Sequence, residues 1–288
     1  MRDGVAPSFA WLPHGPWSTL GEYLAIRFPM VPEQAWRLRM SRGDVRRDDG
    51  LALNYDDRYV AGFRIFYYRE RLDEPHIPFD EEVLYQDDEL MVVDKPHFVP
   101  VTPGGKYLHE SLLVRLRRKT QRQTISPIHR LDRETAGIIM FSMNPATRPL
   151  WQSLFRFKKI HKIYQALAPI RSDLSFPRVI ATRIVRDEQF FRVKQIPGEP
   201  NASTHIALLS QAESIGRYEL RPDTGKMHQL RIHMSTLGIP ILNDRFYPTA
   251  APAGVDDYSS PLKLLACAVS FIDPIRGVER SFESRRTL

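Results

Sequence analysis

The sequence predicts an α+β fold: a mixed, mainly antiparallel central sheet with flanking helices and loops. Three observations carry that expectation. Strand-like stretches outnumber helical ones, they do not alternate strictly with helices, and two of them face each other across a short acidic turn. Residues 1–16 hold early charge and several prolines without apolar periodicity, and are expected to be irregular. From Thr19 onward, Leu20, Tyr23, Leu24 and Phe28 recur at helical spacing, and a second helix runs through 33–40 to end near Gly43. Asp48-Asp49-Gly50 reads as a turn and GFRIFYYRE (62–70) as a strand. These elements outline a small domain over 17–72, rich in arginine at 37, 39, 42, 46 and 47. A second domain follows over 73–288. It opens with EVLYQ and ELMVVDKP, a hairpin turning at Asp87-Asp88. HESLLVRLRRKTQ (109–121) is a basic helix with Leu112, Leu113 and Leu116 on one face. Asn144-Pro145 is expected to start a helix that buries Leu150, Trp151, Leu154 and Phe155. Strands are expected at 161–170, 178–186, 203–213, 216–222 and 262–272, a helix at 228–237 stopped by Gly238, and loops at 194–201 and 248–261.

At 288 residues the chain can form one large domain or a large and a small one. Its 41 Lys and Arg against 34 Asp and Glu give a net charge of +7 and a pI near 9.5, which favours a polyanionic partner, nucleic acid first. The single cysteine, Cys267, excludes an internal disulfide and is expected to pack as a small core residue in LLACAV. The N-terminus lacks the apolar stretch of a signal peptide, and no run approaches the roughly 18 apolar residues of a membrane helix. A cytoplasmic, monomeric protein without membrane contact is expected.

Two segments concentrate chemistry. SPIHRLDRETAGIIMFS (126–142) sets His129, Arg130, Asp132, Arg133 and Glu134 against an apolar run. Such a stretch is commonly a charged loop before a strand and nothing more. The density also suits catalysis: a carboxylate at a strand edge, with cations on either side that keep it charged and grip an anionic substrate. The second segment is ELRPDTGKMHQLRIHMSTLGIPILNDRFY (219–247). On a helix beginning near Met227, His228, Arg231 and Ser235 share one face, and Leu230, Met234 and Leu237 another. Taken alone, that is a surface helix with a solvated basic face. His228 and His233 are five apart with no cysteine or carboxylate pair beside them, so no metal site is expected. Neither a phosphate-cradling glycine loop nor a G-x-S-x-G elbow occurs.

HRLDRETAGIIMFS, together with TGKMHQLRIHMSTLGIPILND, VLYQDDELMVVDKP and KIYQALA (162–168), resembles the RluA family of pseudouridine synthases. The likeness runs over about residues 80–273 in the family's order and spacing. Residues 17–70 resemble, less closely, the S4-like RNA-binding domain often found ahead of that catalytic domain. The resemblance implies the pseudouridine synthase fold and a structured RNA partner, ribosomal or transfer RNA. It implies no cofactor, because isomerising uridine neither oxidises nor hydrolyses anything. Asp132 is implied as the single catalytic carboxylate, a nucleophile or a stabiliser of charge at the ribose anomeric carbon; glycoside hydrolysis would use two. Burial beneath a flipped base would neutralise Asp132, and Arg231 is implied as the buried cation opposing that. Tyr164 would lie against the base, and Arg130 would fill the space the extruded uridine leaves. His129, Arg133, Lys95, Lys226 and His228 are expected at the RNA, Lys95 on a phosphate or else as a solvated hairpin end, as are Arg37, Arg39 and Arg42 of the first domain. Lys226, Met227, Ile239 and Asn243 stand where the family usually has Arg, Thr, His and Gly, departures that bear on RNA contacts and substrate identity. Two rivals remain beside this reading: a non-catalytic RNA-binding protein of ribosome assembly, and a hydrolytic nucleosidase that releases uracil.

Overall fold

The computed structural model describes residues 1–70, 73–189, 191–251, 254 and 256–288. The domain border expected after Leu72 and part of the loop expected over 248–261 lie outside the described residues. The chain forms two compact units, Met1–Pro75 with Gly105–His109, and His76–Gly104 with Glu110–Leu288.

In the first unit, strand β1 (Ser8–Trp11) is followed by helices α1 (Leu20–Arg27) and α2 (Glu33–Ser41), then β2 (Val45–Arg47) and β3 (Arg64–Tyr67). The Thr19 hydroxyl caps α1 by accepting the Glu22 N–H. The three strands pair antiparallel in the order β1-β3-β2 and pack Ala10, Val45, Ile65 and Tyr67 against Leu20, Leu24 and Trp36. Residues 1–16 therefore are not irregular throughout. The alternation that makes β1 lasts four residues between Pro7 and Pro13, too short to register as a period.

The second unit contains β4 (Glu82–Gln86), β5 (Leu90–Lys95), α3 (Leu112–Thr120), β6 (Ser126–Pro127), β7 (Ala136–Ser142) and α4 (Arg148–Arg156). Then come β8 (Ile160–Pro169), β9 (Arg178–Arg186), β10 (Val193–Ile196), β11 (Ala202–Ala212), β12 (Ile215–Pro222), α5 (Gln229–Thr236), β13 (Leu264–Ile272) and β14 (Glu279–Glu283). They form one sheet in the order β10-β9-β11-β12-β8-β13-β7-β5-β4, with β14 on β13 and β6 on β7. Every pair is antiparallel except β7 with β13. At that parallel contact, Gly137 pairs with Ala266 at φ +107°, and a Cβ on it would lie 2.2 Å from the Ala266 carbonyl oxygen. The glycine of the signature is thus a packing requirement.

Three expectations are corrected. Residues 194–201 are not all loop, because 193–196 pair with β9 as strand β10. The helix expected at Asn144 starts at Arg148: the Asn144 side chain instead accepts the Ala146 N–H and donates to Glu89, which makes a turn. Leu150, expected on its buried face, is exposed, while Trp151 and Leu154 are buried.

Candidate active site

The loop leading into β7 carries Asp132, whose side chain keeps 20% of its surface in solvent. β8 brings Lys162 and Tyr164, α5 brings Arg231, and the turn between β12 and α5 brings Thr224, Lys226 and His228. With Arg130 they line a pocket of about 90 Å³. It shares Arg130, Lys162, Tyr164, Thr224 and Lys226 with an adjoining cleft of about 1130 Å³. That cleft adds Arg156, Lys158 and Arg221 against Asp223, so its wall is cationic. The structure thus brings Arg130, Asp132, Tyr164, Lys226, His228 and Arg231 to one place.

Arg231 is held differently from the sequence expectation. Its Nε and Nη2 donate to both oxygens of Asp244 at 2.8 and 2.6 Å, and both side chains are 1% exposed. Its Nη1 lies 3.8 Å from Asp132 and 3.5 Å from Glu134 and has no hydrogen-bond partner among the described residues. Burial opposes the guanidinium charge, but the Asp244 carboxylate outweighs it and the Arg231 pKa ends above its usual value. Glu134 is likewise pushed up by burial and pulled further down by Arg231 and Arg133. Asp244 accepts the Phe246 N–H at 2.8 Å, and the Phe246 ring lies 4.8 Å from the guanidinium.

His228 enters α5 in the left-handed conformation, φ +52°, so it does not share a helical face with Arg231. Its Nε2 lies 3.9 Å from Asp132, its Nδ1 meets the Tyr247 hydroxyl at 3.1 Å, and burial lowers its pKa. Tyr164 has its phenol pKa raised, by burial first and then by the Asp132 charge, and stays protonated at neutral pH. The Lys162 ammonium, also lowered by burial, donates to the Thr224 carbonyl at 3.1 Å. Gln229, a residue sequence reasoning missed, ties the turn before α5 to β11. Its Oε1 accepts from Thr224 Oγ1 and the Lys226 N–H, and its Nε2 donates to the Ser203 carbonyl and Thr204 Oγ1.

Other expected RNA contacts are engaged elsewhere. Lys95 is fully buried, and its three N–H groups donate to the Pro96, Val99 and Arg133 carbonyls at 2.9, 2.9 and 3.1 Å. Burial pulls its pKa down to about 7. A phosphate cannot reach it; it pins the backbone beside Asp132. His129 stacks on Phe155, and its Nε2 accepts the Met140 N–H at 3.1 Å, with burial pushing its pKa down to about 3. It is a neutral cleft wall, not a cation. Arg133 makes a bidentate pair with Asp256 at 2.9 and 2.6 Å and a second with Glu134 at 3.1 Å. In the first unit, Arg37 pairs with Glu33 and Asp56, Arg42 with Glu70, and Arg39 is buried 3.6 Å from Glu70. These arginines pair with the unit's own carboxylates.

Residues 89–236 match the RNA pseudouridylate synthase family. The chain is 31% identical over 207 residues to the dual-specificity RNA pseudouridine synthase RluA of Salmonella typhimurium, covering 70% of this chain and 91% of that protein. The chain belongs to the RluA-type RNA pseudouridine synthases. An RNA pseudouridine synthase of Synechocystis is 28% identical over 237 residues, 81% of this chain and 80% of its own length. Among solved structures, human RNA pseudouridylate synthase domain containing 4 aligns at TM-score 0.53 and 25% identity, over 70% of this chain and 87% of that one. The human domain-containing-1 protein shares the fold at TM-score 0.57 and 22% identity, over 73% and 86%. This pseudouridine synthase is accordingly an RNA-modifying isomerase with a mainly antiparallel α+β fold. Among the described residues, no helix is long and apolar enough to cross a membrane.

Proposed function

We propose that the pocket isomerises uridines of ribosomal or transfer RNA with Asp132 as the catalytic carboxylate. One observation carries the reading: Asp132 is the single carboxylate among the residues lining the pocket, and it faces the Arg231 guanidinium at 3.8 Å. Asp132 acts at the ribose anomeric carbon as nucleophile or as counter-charge. The bond to N1 breaks with its electron pair leaving on the uracil, and the base turns within the pocket. C5 then bonds the anomeric carbon; the C5 proton is lost and N1 gains one, so the balance is an isomerisation. Tyr164, protonated and half-buried, offers the flat wall such a turn requires. Arg130, exposed at the rim, would occupy the vacated stack. The N-terminal unit serves as an RNA-binding module of the S4-like kind, a reading supported by its two consecutive helices followed by the short strands β2 and β3.

The test is tritium release from RNA carrying 5-tritiated uridine. The wild type releases tritium without free uracil, and Asp132→Asn loses roughly 10²–10³-fold or more while still binding RNA. Free uracil would identify a nucleosidase instead. Full activity in a well-folded Asp132→Asn protein would move the chemistry to another group.

A further inference from the structure

The outer face of the three-stranded sheet in the N-terminal unit is aromatic and basic. Strand alternation turns Ala10, Val45, Ile65 and Tyr67 inward, so Phe9, Trp11, Arg46, Arg64 and Phe66 share the opposite face. Phe9 pairs across the sheet with Phe66, their rings 6.2 Å apart, and Phe66 pairs with Arg46 on its other side. Trp11 pairs with Arg64. Phe9 is 61% exposed and Trp11 54%. The Arg64 guanidinium lies 5.5 Å from the Phe66 ring and 6.0 Å from Phe9, and makes no ion pair among the described residues. Arg46 is anchored to the Gly43 and Gly50 carbonyls at 2.8 and 3.2 Å and makes no ion pair among the described residues. None of the three strands contains Asp or Glu.

This is the reverse of α2, whose arginines are neutralised by neighbouring carboxylates. On the sheet, Arg46 and Arg64 make no ion pair among the described residues, the Phe9 and Trp11 rings stay in water, and Phe66 is half-buried. We propose that this face binds unpaired nucleotides of the RNA substrate, with bases stacked on Phe9, Phe66 and Trp11 and phosphates drawn to Arg64 and Arg46. Every base presents a π face, so such a platform holds single strands of any sequence, whereas paired bases offer it nothing. An apolar peptide would use the rings and leave the arginines idle; RNA, the family's substrate, uses both. The inference rests on family membership and is independent of the role of Asp132.

Full-length protein and its Phe9→Ala/Trp11→Ala variant are titrated into a short fluorescein-labelled oligouridylate and into a blunt RNA duplex of equal length, at several salt concentrations. Losing one stacked base corresponds to roughly a 5–150-fold weakening. The expected result is a drop of about tenfold or more on the oligouridylate and none on the duplex, with an unchanged salt slope, because no charge is removed. Arg64→Glu, at an exposed position outside any ion pair, should weaken single-strand binding and flatten the slope by about 0.7 for each phosphate that is no longer neutralised. This second variant keeps the test open if the double variant fails to melt cooperatively. Wild-type affinity and slope in both variants overturn the proposal, as does an equal loss on duplex and single strand. Unchanged RNA binding with lost self-association in sedimentation, or with lost pelleting on phosphatidylserine vesicles, assigns the face to protein or lipid and overturns it too.

Discussion

Arg231 and Arg37 make the same contact in opposite surroundings. Each directs two N–H groups at both oxygens of one carboxylate, Arg231 at Asp244 (2.8 and 2.6 Å) and Arg37 at Asp56 (2.7 and 2.9 Å). Each also lies over a ring, Phe246 at 4.8 Å and Tyr55 at 4.5 Å. Yet Arg231 and Asp244 are 1% exposed, whereas Arg37 and Asp56 are 46% and 73% exposed. An exposed fork exchanges protein partners for water at little change in free energy and is screened by salt. A buried fork has no water to fall back on, so breaking it strands a charge in low dielectric. Geometry alone therefore does not rank the two arginines; solvent does.

The largest expected effect follows from removing the buried member. Arg231→Ala leaves the buried Asp244 without its cation and takes the guanidinium away from Asp132 and Glu134, a cost of about 3–5 kcal/mol in urea unfolding together with loss of tritium release. Arg231→Lys keeps the charge but not the fork and should fall between. An Arg231→Ala protein with the wild-type unfolding midpoint would erase the distinction between the two pairs. Lys95 sharpens it from another side, as a buried amine hydrogen-bonded to three backbone carbonyls, with no carboxylate in hydrogen-bond reach among the described residues. Lys95→Met strands those carbonyls and should cost about 2–3 kcal/mol, read by the same titration. A neutral outcome would mean that the carbonyls find other donors.

Much of the site is legible in the sequence, and the gaps have physical reasons. Residue types and helical spacing in 129–134 and 228–237 point to the segments that line the pocket. The Asp244 partner is not readable, since it lies beyond the end of α5 in an apolar stretch where nothing local ties it to Arg231. Lys95 at the end of a hairpin reads as a solvated cation; instead the chain after it folds back, so that Pro96 and Val99 together with Arg133, distant in sequence, take its hydrogen bonds in the interior. The arginines of α2 read as available because their carboxylate partners at 56 and 70 belong to other segments. Asp132, by contrast, is conspicuous through its immediate neighbours.

Burial also fixes a pH dependence. His233 is fully buried between Thr204 Oγ1 at 2.9 Å and Thr182 Oγ1 at 3.0 Å, and burial pushes its pKa down to about 4. The unfolded value is near 6.5, so between about pH 6.5 and 4 the unfolded chain binds more protons than the native one. Stability is therefore fully present above pH 6.5 and is lost as pH falls through that window. The slope approaches about 1.4 kcal/mol per pH unit for this histidine. Urea midpoints at pH 7, 6 and 5 should fall in step, and His233→Gln should reduce the fall. An identical pH profile in that variant would exclude His233 as its source.

The smallest effect is expected at Arg37. Its fork to Asp56 and its contact with Glu33 at 2.7 Å sit in solvent, so Arg37→Ala should leave the unfolding midpoint within the scatter of replicate titrations. A cycle with Asp56→Ala should return almost no coupling, and less still at high salt, where the screening length shrinks to about 3 Å at 1 M. The same variant also tests what α2 does for RNA. A phosphate that recruited Arg37 would leave Glu33 and Asp56 unpaired beside the RNA, so little net charge is gained there. Arg37→Ala should therefore leave the affinity for oligouridylate and its salt slope close to wild type, while Arg64→Glu changes both. A slope that flattens on removing Arg37 would show that α2 releases its arginine to the RNA, and would move the electrostatic contact from the sheet to the helix.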